Sequence, residues 1–277
     1  MSYADILVTL DNSNQAQETL KTGIDLSLLF KAHLCAIYPV PTLTQLPYTG
    51  MAAYTTLIDQ HRVQLKDEAD TVGKTSRALA DKQLVQLEWR APEGDPETTV
   101  AEYGRLFDLV IFSQGDPENM QSVILGLSEN ILLRLGRPSL IIPHIGCNAA
   151  PFKRVLVAWD GGQAATRALY DAMPFLHRAE SVEITTIYEA DKELTTNANG
   201  NENICEHLLR HGIGATSTSI PHKDVDIAST LLNHVSDTGA DLLVMGAYGH
   251  SRIRQVLLGG VTRSLLKHMT VPVLMSH

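Results

Sequence analysis

Cysteine is scarce: Cys35, Cys147 and Cys205 are odd in number and widely scattered, with no CxxC pair. This argues against a disulfide framework or a cysteine-rich zinc site and fits a reducing compartment. Basic charge is in deficit, with 22 Lys and Arg against 31 Asp and Glu and a formal net charge of −9. The overall field repels phosphate backbones and anionic lipid, so nucleic acid is not expected as a partner. No apolar run approaches the roughly 18 residues of a membrane span. Met1-Ser2-Tyr3-Ala4-Asp5 passes directly into a strand-like run, with no basic segment and apolar stretch ahead of it. The expectation is a cytoplasmic protein, neither exported nor inserted in a membrane. A Walker P-loop, a GxSxG elbow and an HExxH helix are all missing, and no acid/base pair of carboxylates can be identified. Any phosphate held here must be met by backbone N–H groups, a helix terminus or one or two Arg side chains.

What is present is a repeat. The 277 residues, 44% hydrophobic and 19% charged, suit two globular domains. Ile6 to Asp11 and Val155 to Asp160 are short apolar runs ending in Asp, each followed by apolar residues at helical spacing: Leu20, Ile24 and Leu28, then Ala168, Ala172 and Phe175. Leu34 to Tyr38 and Val182 to Tyr188 read as second strands. Leu109 to Phe112 and Leu242 to Met245, each preceded by an Asp, read as fully buried ones. Ser139 to Pro143 and Val271 to Met275 read as last strands, each behind an amphipathic helix. The first copy holds a Pro-rich loop, Pro39 to Gly50, and a long helical stretch from about Ala52 to Leu79. The shorter second copy holds the polar stretch Thr195 to Asn201, read as a mobile loop. A linker, His144 to Pro151, divides the chain into residues 1–146 and 152–277. His144-Ile145-Gly146-Cys147 echoes a nucleotidyl transferase signature but stands in the wrong place, and is read as coincidence.

Alternating strands and helices predict an α/β chain of two tandem copies, each a five-stranded, doubly wound parallel sheet of Rossmann-like type. Ligands in such sheets sit beyond the strand C-termini at the topological switch point. There the second copy carries Gly246-Ala247-Tyr248-Gly249-His250-Ser251-Arg252 and, before a helix, Gly259-Gly260-Val261-Thr262. Glycines let backbone approach a ligand, and the first turn of a helix presents unpaired donors to phosphate.

This segment resembles the universal stress protein family, whose nucleotide-binding members carry G, two residues, G, nine residues, then G and Ser or Thr. Gly246, Gly249 and Gly259 match, while Gly260 stands at the Ser/Thr position, with Thr262 the nearby hydroxyl. The resemblance extends over the chain as a tandem and implies an adenine nucleotide alpha hydrolase-like fold. It implies ATP or another adenine nucleotide as ligand, with or without Mg2+. Asp160 and the backbone near Ile187 would hold the adenosine, with Ala158, Trp159 and Met245 at the strand ends. Gly246, Gly249, His250, Gly259, Gly260, Val261 and Thr262 would surround the phosphates. Trp159 would stack on adenine or fill its place. Arg252, Arg254 and Arg263 are either phosphate contacts or ordinary surface residues.

In the first copy the matching frame is Ser113, Asp116 and Gly126, followed by Leu127. Asp116 and Pro117 oppose a polyphosphate by charge and by loss of a donor, so ATP is not expected to bind there in this way, and a different apolar or uncharged ligand is left open. Asp11 then reads as a cap or a polar strand end. Cys205, His207 and His211 on a helix face could hold a metal ion, but a solvated face is the better expectation. The two copies are expected to pack through their last strands as an intramolecular pseudo-dimer, with a homodimer left open. A binding role is favoured over a slow ATPase using His250 or Arg252, and over a nucleotide-independent scaffold.

Overall fold

The computed structural model describes residues 2–42, 52–115, 129–147, 150–189, 198–222, 226–247 and 260–277. Strands are β1 Asp5–Thr9, β2 His33–Ile37, β3 Val40–Pro41, β4 Leu87–Arg90, β5 Glu93–Gly94, β6 Leu109–Ser113, β7 Ser139–Ile142, β8 Arg154–Ala158, β9 Ser181–Glu189, β10 Ala215–His222, β11 Leu242–Gly246 and β12 Val273–Ser276. Helices are α1 Asn14–Phe30, α2 Ala52–Lys82, α3 Pro96–Gly104, α4 Glu129–Leu135, α5 Gln163–Asp171, α6 Met173–Leu176, α7 Ala198–Arg210, α8 Ile227–Thr238 and α9 Gly260–His268.

Ten strands form one sheet in the order β10-β9-β8-β11-β12-β7-β6-β1-β2-β4, while β3 and β5 pair separately. Read outward from the β12–β7 junction, both arms run in the same sequence of strands. Every pairing in the large sheet is parallel except that junction, where Val273, Leu274 and Met275 lie antiparallel to Ile141, Leu140 and Ser139. Helices cover both faces. On one, a continuous apolar layer crosses the junction from Leu20 and Ile24 of α1 to Ala168 and Leu169 of α5. On the other, separate clusters lie under α3 and α4 and under α8 and α9.

Local chemistry explains the matching arms. The Asp ahead of each buried strand ties down the start of a neighbour: Asp108 accepts from the N–H groups of Ala4 and Asp5, and Asp241 from those of Lys153 and Arg154. Ser13 caps α1, its side chain accepting from the Ala16 N–H. The equivalent helix of the second arm is broken in two after Asp171, where Pro174 removes a backbone donor. The polar stretch expected as a mobile loop is partly helical instead. Residues 198–201 open α7, and Asn201 is 3% exposed. Its Oδ1 lies 2.8 Å from Thr186 Oγ1 and its Nδ2 donates to Ser219 Oγ at 3.3 Å, so polar contacts to two strands offset its desolvation. Composition cannot report such pairing.

α1 ends with Lys31 in the left-handed region, φ 56° and ψ 42°, the role that Gly239 fills for α8 at φ 62°. An L side chain carries a penalty there that glycine lacks. Lys31→Gly is therefore expected to stabilise the protein by about 1 kcal/mol, read as a shift in urea midpoint at unchanged m-value. Among the described residues, no helix is long and apolar enough to cross a membrane.

Candidate nucleotide site

In the C-terminal arm the chain winds from β8 out to β10, returns to β11 beside β8, and continues to β12 on the other side. The switch point therefore lies between β8 and β11, where Ala158 stands level with Met245. Ala158, Ile187, Met245 and Val261 pack in one apolar cluster with Leu231, Leu265 and Met275. Four of the residues singled out from sequence are thus brought together on one face.

Trp159, one residue on, belongs to the opposite face by strand alternation and packs against the layer under α5. Its N–H donates to Thr185 O, and its carbonyl accepts from Thr186 Oγ1 at 2.8 Å. The indole is a packing group away from the Ala158–Met245 cluster, which corrects the stacking role expected for it. Asp160 is exposed at the surface, with Oδ1 accepting from the Gly162 N–H at 2.8 Å.

The two described glycines of the motif do different work. Gly246 faces α5: a Cβ built there would lie 2.5 Å from Ala164 C and from Ala165 N. Its missing side chain admits the helix backbone, not a ligand, which replaces the reason given for it from sequence. Gly260 opens α9, is exposed, and among the described residues has nothing within 4 Å of where a Cβ would stand. Thr262 is 3% exposed in the first turn of α9. Arg263 is exposed on α9. Gly249, His250 and Gly259, together with Arg252 and Arg254, lie outside the described residues.

At the equivalent strand ends of the N-terminal arm, polar groups are turned onto the protein itself. Asp11 is 5% exposed and accepts from both the N–H and the hydroxyl of Ser13. Gly162 stands where Ser13 would be in the second arm, supplying no hydroxyl. Ser113 shares a 2.7 Å hydrogen bond with Thr19. Asp116, Pro117, Gly126 and Leu127 lie outside the described residues. Gln114, unmarked in the sequence reading, sends its amide to the far end of α9. The signal available was a long polar residue at the position where the second copy has Ala247.

Of Cys205, His207 and His211, the two imidazoles stand together, ring centroids 4.7 Å apart, while Cys205 lies apart against the core. His207 also meets Tyr170 OH at 3.0 Å. Among the described residues, no three His, Cys, Asp or Glu are placed to hold a metal ion.

The second arm is similar in sequence to proteins already known. The model of the universal stress protein family matches residues 151–277. A universal stress protein of Synechocystis sp. is 26% identical over 171 residues, 61% of this chain and 57% of that relative's own length. One from Bacillus subtilis is 25% identical over 146 residues, 44% of this chain and 97% of the relative. The crystal structure of a universal stress protein from Archaeoglobus fulgidus superposes with a TM-score of 0.73 at 18% identity, covering 98% of this chain and 95% of that one, a likeness of fold. Over residues 151–277, this chain is similar to the universal stress protein family.

Proposed function

We propose that the C-terminal arm binds an adenine nucleotide, ATP being the first to test, and that the protein acts by binding rather than by turnover. The observation that carries this reading is the convergence at one switch point of an apolar wall, Ala158, Ile187, Met245 and Val261, an exposed Asp160 and an exposed helix start at Gly260. The wall suits a purine. Asp160 suits a ribose or purine donor, and the first-turn amides of α9 suit an anionic tail. In this reading residues 1–146 and 152–277 are two domains whose β7–β12 pairing forms a pseudo-dimer within one chain. The N-terminal domain holds no nucleotide, because Asp11 and Ser113 are engaged within the protein.

Mass spectrometry of small molecules released from the denatured, purified protein identifies the ligand. Asp160→Ala is expected to weaken ATP binding about 10- to 100-fold by calorimetry, the worth of one hydrogen bond to a charged group. Asp11→Ala is expected to leave the affinity unchanged. A protein that releases no nucleotide, and whose melting temperature does not move with millimolar ATP, rejects the proposal.

A further inference from the structure

One contact between the two arms has no counterpart in the repeat. Gln114 follows β6 as Ala247 follows β11, and the backbones correspond: Gln114 N–H donates to Ile142 O, and Ala247 N–H to Ser276 O. The side chains diverge. Gln114 is 6% exposed, and both ends of its carboxamide are engaged. Nε2 donates to Leu266 O at 2.8 Å and to Lys267 O at 3.2 Å. Oε1 accepts from the His144 N–H at 2.8 Å and lies 2.9 Å from His144 Nδ1.

Leu266 and Lys267 belong to the last turn of α9, where carbonyls have no acceptance to fulfil within the helix and need an outside donor. A side chain of the N-terminal arm therefore caps a helix of the C-terminal arm. Sheet direction makes this reachable. Because β7 and β12 are antiparallel, the C-terminal strand ends of one arm lie beside the N-terminal strand ends of the other, where α9 finishes. His144 holds Gln114 in place, so the residue dismissed as part of a chance motif has a structural task.

We infer that Gln114 is a positioning residue for the phosphate end of the nucleotide site, setting the placement of α9 from its far end. The inference rests on the nucleotide reading above. α9 has nine residues and is roughly 13 Å long, short enough to move as a rod, so loosening its last turn displaces Gly260, Val261 and Thr262 at the first. Hydrogen-bond donors serve an anion only when held to about 0.5 Å. The adenosine end rests on Ala158 of β8, Asp160 beyond it, Ile187 of β9 and Met245 of β11, with Val261 the one wall residue that α9 supplies, so the clamp bears less on it than on the anionic tail.

The test compares wild type with Gln114→Met, which keeps volume but has no donor, by calorimetry with ATP and with adenosine. Gln114→Ala is the second variant should the first not fold. ATP affinity is expected to fall about tenfold, the worth of a lost hydrogen bond to a charged group, with adenosine affinity falling clearly less. Equal weakening of both ligands, or an unchanged ATP-to-adenosine ratio, overturns the inference. If wild type binds neither ligand, the nucleotide reading itself falls, and amide hydrogen exchange decides whether the clamp exists. Faster exchange in the last turn of α9, with β11 unchanged, supports it, and unaltered α9 exchange overturns it.

Discussion

Gly246→Ala is expected to cost about 3 kcal/mol, toward the upper end of the range for forcing extra atoms into a packed interior. The added Cβ would fall 2.5 Å from Ala164 C and Ala165 N, and 2.8 Å from Ala164 Cβ. These atoms are the backbone and the first side-chain carbon of α5, so no rotamer change relieves the overlap. Either α5 lifts from the end of β11 or the strand shifts beneath it. Gly260→Ala provides the contrast. Its Cβ meets nothing within 4 Å among the described residues, and alanine favours the helical backbone by at most about 1 kcal/mol, so stability should hold or rise slightly. Urea titrations of the two variants, read at constant m-value, measure the difference. Similar losses in both would mean that α5 does not lie against Gly246 as described. Nucleotide titration of Gly260→Ala adds a separate readout, since a Cβ there enters the proposed seat while leaving the fold intact.

Phe175→Ala is expected to cost roughly 3–5 kcal/mol, as for other buried aromatic truncations. Phe175 is 2% exposed, and its ring stands 5.4 Å from Tyr3, 5.4 Å from Phe30 and 5.7 Å from Phe152, centroid to centroid. Tyr3 and Phe30 come from the N-terminal arm and Phe152 from the C-terminal one, and the Tyr3 hydroxyl donates to the Asp171 carbonyl. Arg178 lies over the Phe30 ring at 4.7 Å. Removing Phe175 thus weakens the join as well as one core. The expected signature is two separable unfolding transitions where wild type has one, monitored by circular dichroism and by tryptophan fluorescence from Trp89 and Trp159, one in each arm. Phe107→Ala is the control, because Phe107 packs in a cluster confined to the N-terminal arm. It should lower stability without uncoupling the arms. A single coincident transition in Phe175→Ala would show that the contacts left, the β7–β12 pairing and the Gln114 bonds among them, suffice to couple the arms.

Patterning along the chain was sufficient for the repeated order of strands and helices. Strand alternation, helical spacing and the Asp before each buried strand are consequences of local backbone geometry, so they are written in consecutive residues. The switch point followed as well, because crossover handedness leaves few ways to thread such a chain. What tertiary structure decided is what each marked residue does. Gly246 serves helix packing while Gly260 stands open, Trp159 faces away from Ala158, Asn201 is buried between two strands, and Gln114 reaches the other arm. Each of these depends on an atom distant along the chain that meets the residue only once the sheet is assembled. A residue's identity states which bonds it is able to make, and its surroundings in the folded chain select which of them it does make.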